Sequence, residues 1–251
     1  MRFKADSQPL VILPGEISDR TITTLMKSLD KLLSEKPELI SLDCSRLENV
    51  NSSQIGFLWQ ARQKCVKAGA DIRLLSPSSG LICVLKVLDL HDLFQYTGSP
   101  DCGMWEQPVG VVLKNSYVDE FRPEPESIDR ALKNFTEFLN SLNLHHITIF
   151  ELQTIFYEVS TNIRTHSGMS KNESILFTVR TNDKKIVLVF ADSGRGFDIT
   201  RQPIDINPEM AGKNKQKSGF GLALIRRLAD KIEYIGERTG LNILVLEKRW
   251  N

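Results

Sequence analysis

Between residues 95 and 108 the stretch QYTGSPDCGMWEQP, rich in Gly, Pro, Asp and Ser, interrupts two regions whose hydrophobic patterns differ. Such a run favours turns over regular elements and marks a boundary. The chain has 251 residues, more than the roughly 100–200 of a usual single domain, so two domains are expected. We place them at residues 1–98 and 110–251, with a linker at 99–109.

Ahead of the boundary, strand and helix signals alternate. PLVILPGEI reads as extended; RTITTLMKSLDKLLSEKP then carries Ile22, Leu25, Leu29, Leu32 and Leu33 at helical spacing and stops at Pro37. LISLDCS is a short buried-strand candidate. Next come a helix through Ile55, Leu58, Trp59, Arg62 and Val66 to Gly69, the strand-like DIRLLS, and a helix over GLICVLKVLDLHDLF. Strands alternating with helices predict an α/β layer. Beyond the boundary, VGVVLKN looks extended, ESIDRALKNFTEFLNSLNL looks helical, and a strong helix covers residues 147–166. Two strands, SILFTVRT and KIVLVFAD, meet at an Asn182-Asp183 turn; a helix from about 219 and a last strand LNILVLE follow. This half predicts an α+β layout, with helices on one face of a largely antiparallel sheet.

Composition narrows the function classes. The chain is 41% apolar and 25% charged with a formal charge of +1, which supplies no positive field for nucleic acid or an anionic membrane. No apolar run approaches the ~18 residues of a membrane-spanning helix, and the start, MRFKADSQ, does not read as a signal peptide. A cytoplasmic location is therefore expected. Cys44, Cys65, Cys83 and Cys102 form no CxxC pair; three lie in apolar-periodic segments, so buried free thiols are expected rather than disulfides.

Three local patterns in the second half carry chemistry. On the 147–166 helix, Leu152, Ile155, Phe156, Val159 and Ile163 form an apolar stripe that must face the sheet. Glu158 and Asn162, four apart, lie about 40° from each other around the axis, with His166 one turn further. A carboxylate one turn from a carboxamide suits a hydrated Mg²⁺ and an oriented nucleophile; it equally suits a solvated helix face. The strand VLVFADSGRGF ends at Asp192, and Gly194 and Gly196 follow. Such an aspartate accepts from an exocyclic amine, while the glycines let a ring or phosphate approach the main chain; turns use the same residues. In KSGFGLALIRRLAD, Gly219 and Gly221 open a helix, where backbone N–H groups suit phosphate oxygens.

E-x-x-x-N-x-x-x-H, D-x-G-x-G and G-x-G, in that order over residues 110–251, resemble the boxes of the Bergerat-type ATP fold shared by histidine kinases, gyrase and the anti-sigma factor serine kinases. The short interval between boxes, and EVSTN in the first, are most similar to the serine kinase branch. That resemblance implies an α/β sandwich binding ATP and Mg²⁺, with Glu158 as general base, Asn162 as Mg²⁺ ligand and Asp192 as adenine contact. It implies that Gly194, Gly196, Gly219 and Gly221 shape the nucleotide pocket together with His166 and Phe220. Residues 198–217 would form a lid from which Lys217 or Ser218 reaches the phosphates. One departure is visible: Thr239-Gly240-Leu241-Asn242 precedes the last strand where the family has a Gly-Thr pair.

In the first half, LDCSRLENVNSSQIGFL and the β/α order resemble the STAS domain, the anti-sigma factor antagonist fold. That family carries a phosphorylated serine in a D-S-S-G-type turn at a helix start. Here the positions read Asn51, Ser52, Ser53 and Gln54, so Ser53 is the matching acceptor and Ser52 its neighbour; a serine at such a place also serves simply as a cap. The resemblances together imply a partner-switching regulator. It would be either a serine kinase acting on a STAS serine or a nucleotide-dependent binding switch. The expected partners are a STAS-domain or sigma-factor-like protein, or a second copy of the chain.

Overall fold

The computed structural model describes residues 9–17, 19–47, 50–88, 90–97, 115–171, 173–196, 198–202, 220–235 and 241–250. The chain divides into two compact units, residues 1–107 and 108–251.

The first unit is built on a parallel sheet of strands β1 (Leu10–Ile12), β2 (Leu39–Asp43), β3 (Asp71–Leu75) and β4 (Gln95–Tyr96), in that order across the sheet. Helices α1 (Asp19–Leu33), α2 (Ser52–Lys67) and α3 (Ser79–Val87) make the crossovers that parallel strands require. The buried face of α2 carries Ile55, Leu58, Ala61 and Cys65, while Val66 is 53% exposed. Helix α3 is shorter than expected: it is capped by Ser78 Oγ, which accepts the Leu81 N–H at 3.2 Å, and ends at Val87. A 3-10 turn at His91–Leu93 then leads into β4, so the sheet extends into the run read as a boundary. Cys44 and Cys65 are buried free thiols, and burial pushes their pKa values up to about 12 and about 11. Cys83 is disulfide-bonded and corrects the expectation of a free thiol: periodicity reports burial, but not whether another sulfur lies within reach.

The second unit holds an antiparallel sheet of β5 (Asn115–Phe121), β6 (Ile175–Thr181), β7 (Lys185–Asp192), β8 (Lys231–Ile235) and β9 (Asn242–Arg249), ordered β5-β6-β7-β9-β8. Strands β5 and β8 lie on the two edges; of the expected extended run VGVVLKN only Asn115 is among the described residues, as the first residue of β5, and β8 has no counterpart in the sequence reading. Helices α4 (Pro125–Asn140), α5 (His146–His166) and α6 (Phe220–Leu228) supply the apolar side chains that meet one face of it. Phe177 of β6 is the hub of that core, with ring centroids 5.0 Å from Phe135, 4.9 Å from Phe156 and 4.6 Å from Phe190. Leu152, Ile155, Phe156 and Val159 are buried in the same cluster and Ile163 packs at its edge, which sets the rotation of α5 and leaves Glu158 and Asn162 on its flank. Among the described residues no helix is long and apolar enough to cross a membrane.

Candidate functional site

Helix α5 begins at His145, whose Nδ1 accepts the Ile147 N–H at 3.4 Å. With the apolar stripe held against β6 and β7, Glu158 and Asn162 fall half-buried at the rim of the sheet. Strand β7 ends at Asp192, which keeps only 6% of its surface. The strand register places Asp192 opposite Asn242 of β9. The Nδ2 of Asn242 donates to Asp192 Oδ1 at 3.0 Å, and the Gly194 N–H donates to the same oxygen at 2.9 Å. Burial pushes the Asp192 carboxyl above the usual carboxylate range; these two hydrogen bonds oppose the rise, and the charge of Glu173 adds to it. An aspartate so held offers a negative acceptor in low dielectric, where a hydrogen bond from a ligand amine is strong.

The glycines stand where side chains would collide. A Cβ on Gly221, in the first turn of α6, would run into the carboxylate of Glu158. The general-base candidate and the helix start expected to meet phosphate are therefore in contact. A Cβ on Gly194 would lie 2.5 Å from Ser167 Cβ and 2.7 Å from the Ser167 carbonyl oxygen, and one on Gly196 would lie 2.7 Å from the Tyr234 hydroxyl. The main chain after β7 is thus pressed against the end of α5 on one side and against β8 on the other.

A pocket forms between these parts, lined among others by Asn162, Ser167, Asp192, Arg195, Tyr234 and Asn242. Asn162 and Asp192 share it; Glu158, which meets Gly221, is not among the lining residues, though its neighbour Val159 is. His166 is exposed at the end of α5 and is not among the lining residues. Lys217, Ser218, Gly219 and all but 198–202 of the expected lid lie outside the described residues; Phe220 is the first residue of α6. At the root of that segment Arg226 of α6 donates to the carbonyls of Ile199 (2.6 Å), Thr200 (3.1 Å) and Gln202 (2.7 Å). Asn242, Tyr234, Arg195 and Arg226 were not singled out as site residues from sequence. The only signal was the departure at residues 239–242, because the contacts of these side chains are set by strand register and tertiary packing.

A magnesium ion in such a site takes few protein ligands and completes its shell with phosphate oxygens and water. The Asn162 carboxamide, one turn from Glu158 on the pocket rim, is a donor set that fits this demand.

In the first unit, Asn51 is the N-cap of α2. Its Oδ1 accepts the Gln54 N–H at 2.9 Å, and Gln54 Oε1 accepts the Asn51 N–H at 3.2 Å, a reciprocal capping box. Ser52 and Ser53 therefore occupy the first two helical positions, and neither is the cap. Ser53 is half-buried, and the first turn of α2 carries no acidic residue.

A family model described as the histidine kinase-like ATPase domain matches residues 121–248, and one described as the STAS domain matches residues 4–101. No curated protein matches the chain. Among solved structures, the RsbU and RsbW domains of Rv1364c from Mycobacterium tuberculosis align at 13% identity and a TM-score of 0.40, covering 54% of this chain and 32% of that one. The SiaB–SiaC complex from Pseudomonas aeruginosa aligns at 12% identity and a TM-score of 0.37, covering 53% of this chain and 89% of that one. This chain thus spans about a third of the first of these relatives.

Proposed function

Because this chain belongs to the histidine kinase-like ATPase domain family and carries a STAS domain ahead of it, we propose that it is a partner-switching regulator whose second unit is a serine protein kinase. The ATPase domain implies ATP binding. The observation that carries the kinase reading is the contact of the Glu158 carboxylate with Gly221 at the start of α6, next to a pocket shared by Asn162 and Asp192. In this reading Asp192 accepts the adenine amine, and the backbone N–H groups at the start of α6 face the phosphates. Asn162 holds Mg²⁺, which when bound neutralises charge on the transferring phosphates. Glu158 takes the proton of an acceptor serine hydroxyl. The serine oxygen bonds to the γ-phosphorus, the bond from that phosphorus to the β–γ bridging oxygen breaks, and ADP leaves.

The acceptor is Ser53 of the STAS unit or the equivalent serine of a separate STAS protein. With Asn51 as the cap, the Ser53 hydroxyl is not needed to start the helix. A phosphate in the first turn is favoured by the helix dipole. One observation favours the second reading, a binding switch without transfer: the Gln54 N–H is already bonded to Asn51, which leaves the first turn one donor fewer for a phosphate. In that reading nucleotide binding selects a STAS-domain or sigma-factor-like partner, or a second copy of the chain.

The test is intact-mass analysis of the full chain after incubation with Mg²⁺ and ATP, beside Glu158→Ala and Ser53→Ala. One added phosphoryl group in the wild type, absent from both variants, is the result expected. Demonstrable ATP binding with no added mass, on this chain or on an added STAS protein, would overturn the kinase and leave the switch.

A further inference from the structure

Asn242 lies at the centre of a hydrogen-bond relay that joins three strands or their ends. Its Nδ2 donates to Asp192 Oδ1 at 3.0 Å and to the Gly194 carbonyl at 2.7 Å, and its Oδ1 accepts the Tyr234 hydroxyl at 2.9 Å. An ionised carboxylate and a backbone carbonyl accept only, so the amide has one allowed orientation, with nitrogen toward β7 and oxygen toward β8. The Gly194 N–H donates to the same Asp192 oxygen at 2.9 Å. Oδ1 of Asp192 therefore receives two hydrogen bonds, whereas Oδ2 receives none among the described residues. Gly196 lies beside the relay: a Cβ there would stand 3.1 Å from Asn242 Oδ1 and 2.7 Å from the Tyr234 hydroxyl, so the close approach of this backbone to the relay requires glycine.

We propose that Asn242, braced by Tyr234, is a positioning residue for purine selection: it occupies Oδ1 of Asp192 so that Oδ2 alone meets the base. A lone carboxylate acceptor pairs with a base edge that donates, such as the 6-amino group of adenine. It is repelled by one that accepts, such as the 6-carbonyl of guanine. A buried polar group left unpaired is what makes such selection steep. The inference rests on the reading of this pocket as an ATP site.

The experiment is equilibrium binding of ATP and GTP to the full chain by calorimetry, for the wild type, Asn242→Leu and Asn242→Thr. Leucine keeps the bulk and removes every hydrogen bond; threonine restores one donor. The wild type is expected to prefer ATP by about 100-fold or more. In Asn242→Leu that ratio is expected to fall at least tenfold, with ATP weakened more than GTP, and Asn242→Thr is expected to recover part of it. A folded Asn242→Leu with an unchanged ratio overturns the proposal while the ATP-site reading stands; a purely structural role would weaken both nucleotides alike. A wild type that binds neither nucleotide removes the ATP-site reading, and this inference with it. If Asn242→Leu does not fold, Tyr234→Phe decides: it removes only the brace, and a ratio lowered about threefold or more supports the relay, while an unchanged one overturns it.

Discussion

Asp192 keeps 6% of its surface, and burial raises its pKa above the ordinary carboxylate value despite the bonds from Asn242 and Gly194. The sign of the consequence follows from linkage. The folded state holds this proton more tightly than the unfolded chain, so folding stability falls as pH rises from the unfolded pKa through the folded one. The full penalty acts above the folded pKa and none acts well below the unfolded value. An asparagine at 192 keeps an oxygen to accept both donated bonds and removes the charge. Asp192→Asn is therefore expected to melt at a higher temperature than wild type at pH 7, with the gain shrinking as the solution is acidified. It is also expected to lose ATP binding by about 100-fold or more, since a donor now meets the adenine amine. Melts across pH combined with an ATP titration check both arms; a lower melting temperature at pH 7 would contradict the burial argument.

At the scale of elements, the contact between α5 and α6 separates function from stability. Alanine at 221 gains helix propensity of about 1 kcal/mol over glycine, yet its Cβ displaces the Glu158 carboxylate, the far end of a flexible side chain. Gly221→Ala is expected to unfold no more easily than wild type while phosphoryl transfer falls by about tenfold or more, as denaturant unfolding and a transfer assay would report. For α2 the balance is reversed. Asn51→Ala removes the side chain that accepts the Gln54 N–H, at a cost of about 1 kcal/mol, and urea unfolding should show it in the transition of the first unit. Elements with long, strong periodicity were legible in sequence: α5, β6 and β7 lie where their apolar spacing predicts, so the places of Glu158, Asn162 and Asp192 on them follow from local spacing. The positions of β5 and β8 were not, because NSYVDEF and KIEYI carry polar and charged residues among their apolar ones. The helix α2 was legible too, but not its inward face, where small Ala61 and Cys65 rather than Val66 are buried. The contact of Asn242 with Asp192 was not legible because the two lie fifty positions apart and only the β7–β9 register joins them. The same holds for Arg226 and the carbonyls of residues 199–202.

At the scale of the whole molecule, two units with separate cores share one chain, and covalent linkage changes the kinetics of any reaction between them. A short flexible connector gives a tethered acceptor an effective concentration on the order of millimolar, about a thousand times that of an untethered acceptor at micromolar protein. Docking too weak to be seen between separate chains at micromolar concentration is then well populated within one. If Ser53 is the acceptor, the rate constant for its phosphorylation is expected to stay constant as protein is diluted from about 10 to about 0.1 μM. The complementary experiment mixes Glu158→Ala, which keeps the acceptor, with Ser53→Ala, which keeps the base. Transfer in that mixture is expected to be slower than in the wild type by about 100-fold or more at micromolar concentration. A rate constant that rises in proportion to protein concentration, together with a mixture that reaches wild-type speed, would contradict transfer within one chain. Ser53 would then be phosphorylated by a second copy, and dimerisation rather than tethering would set the rate.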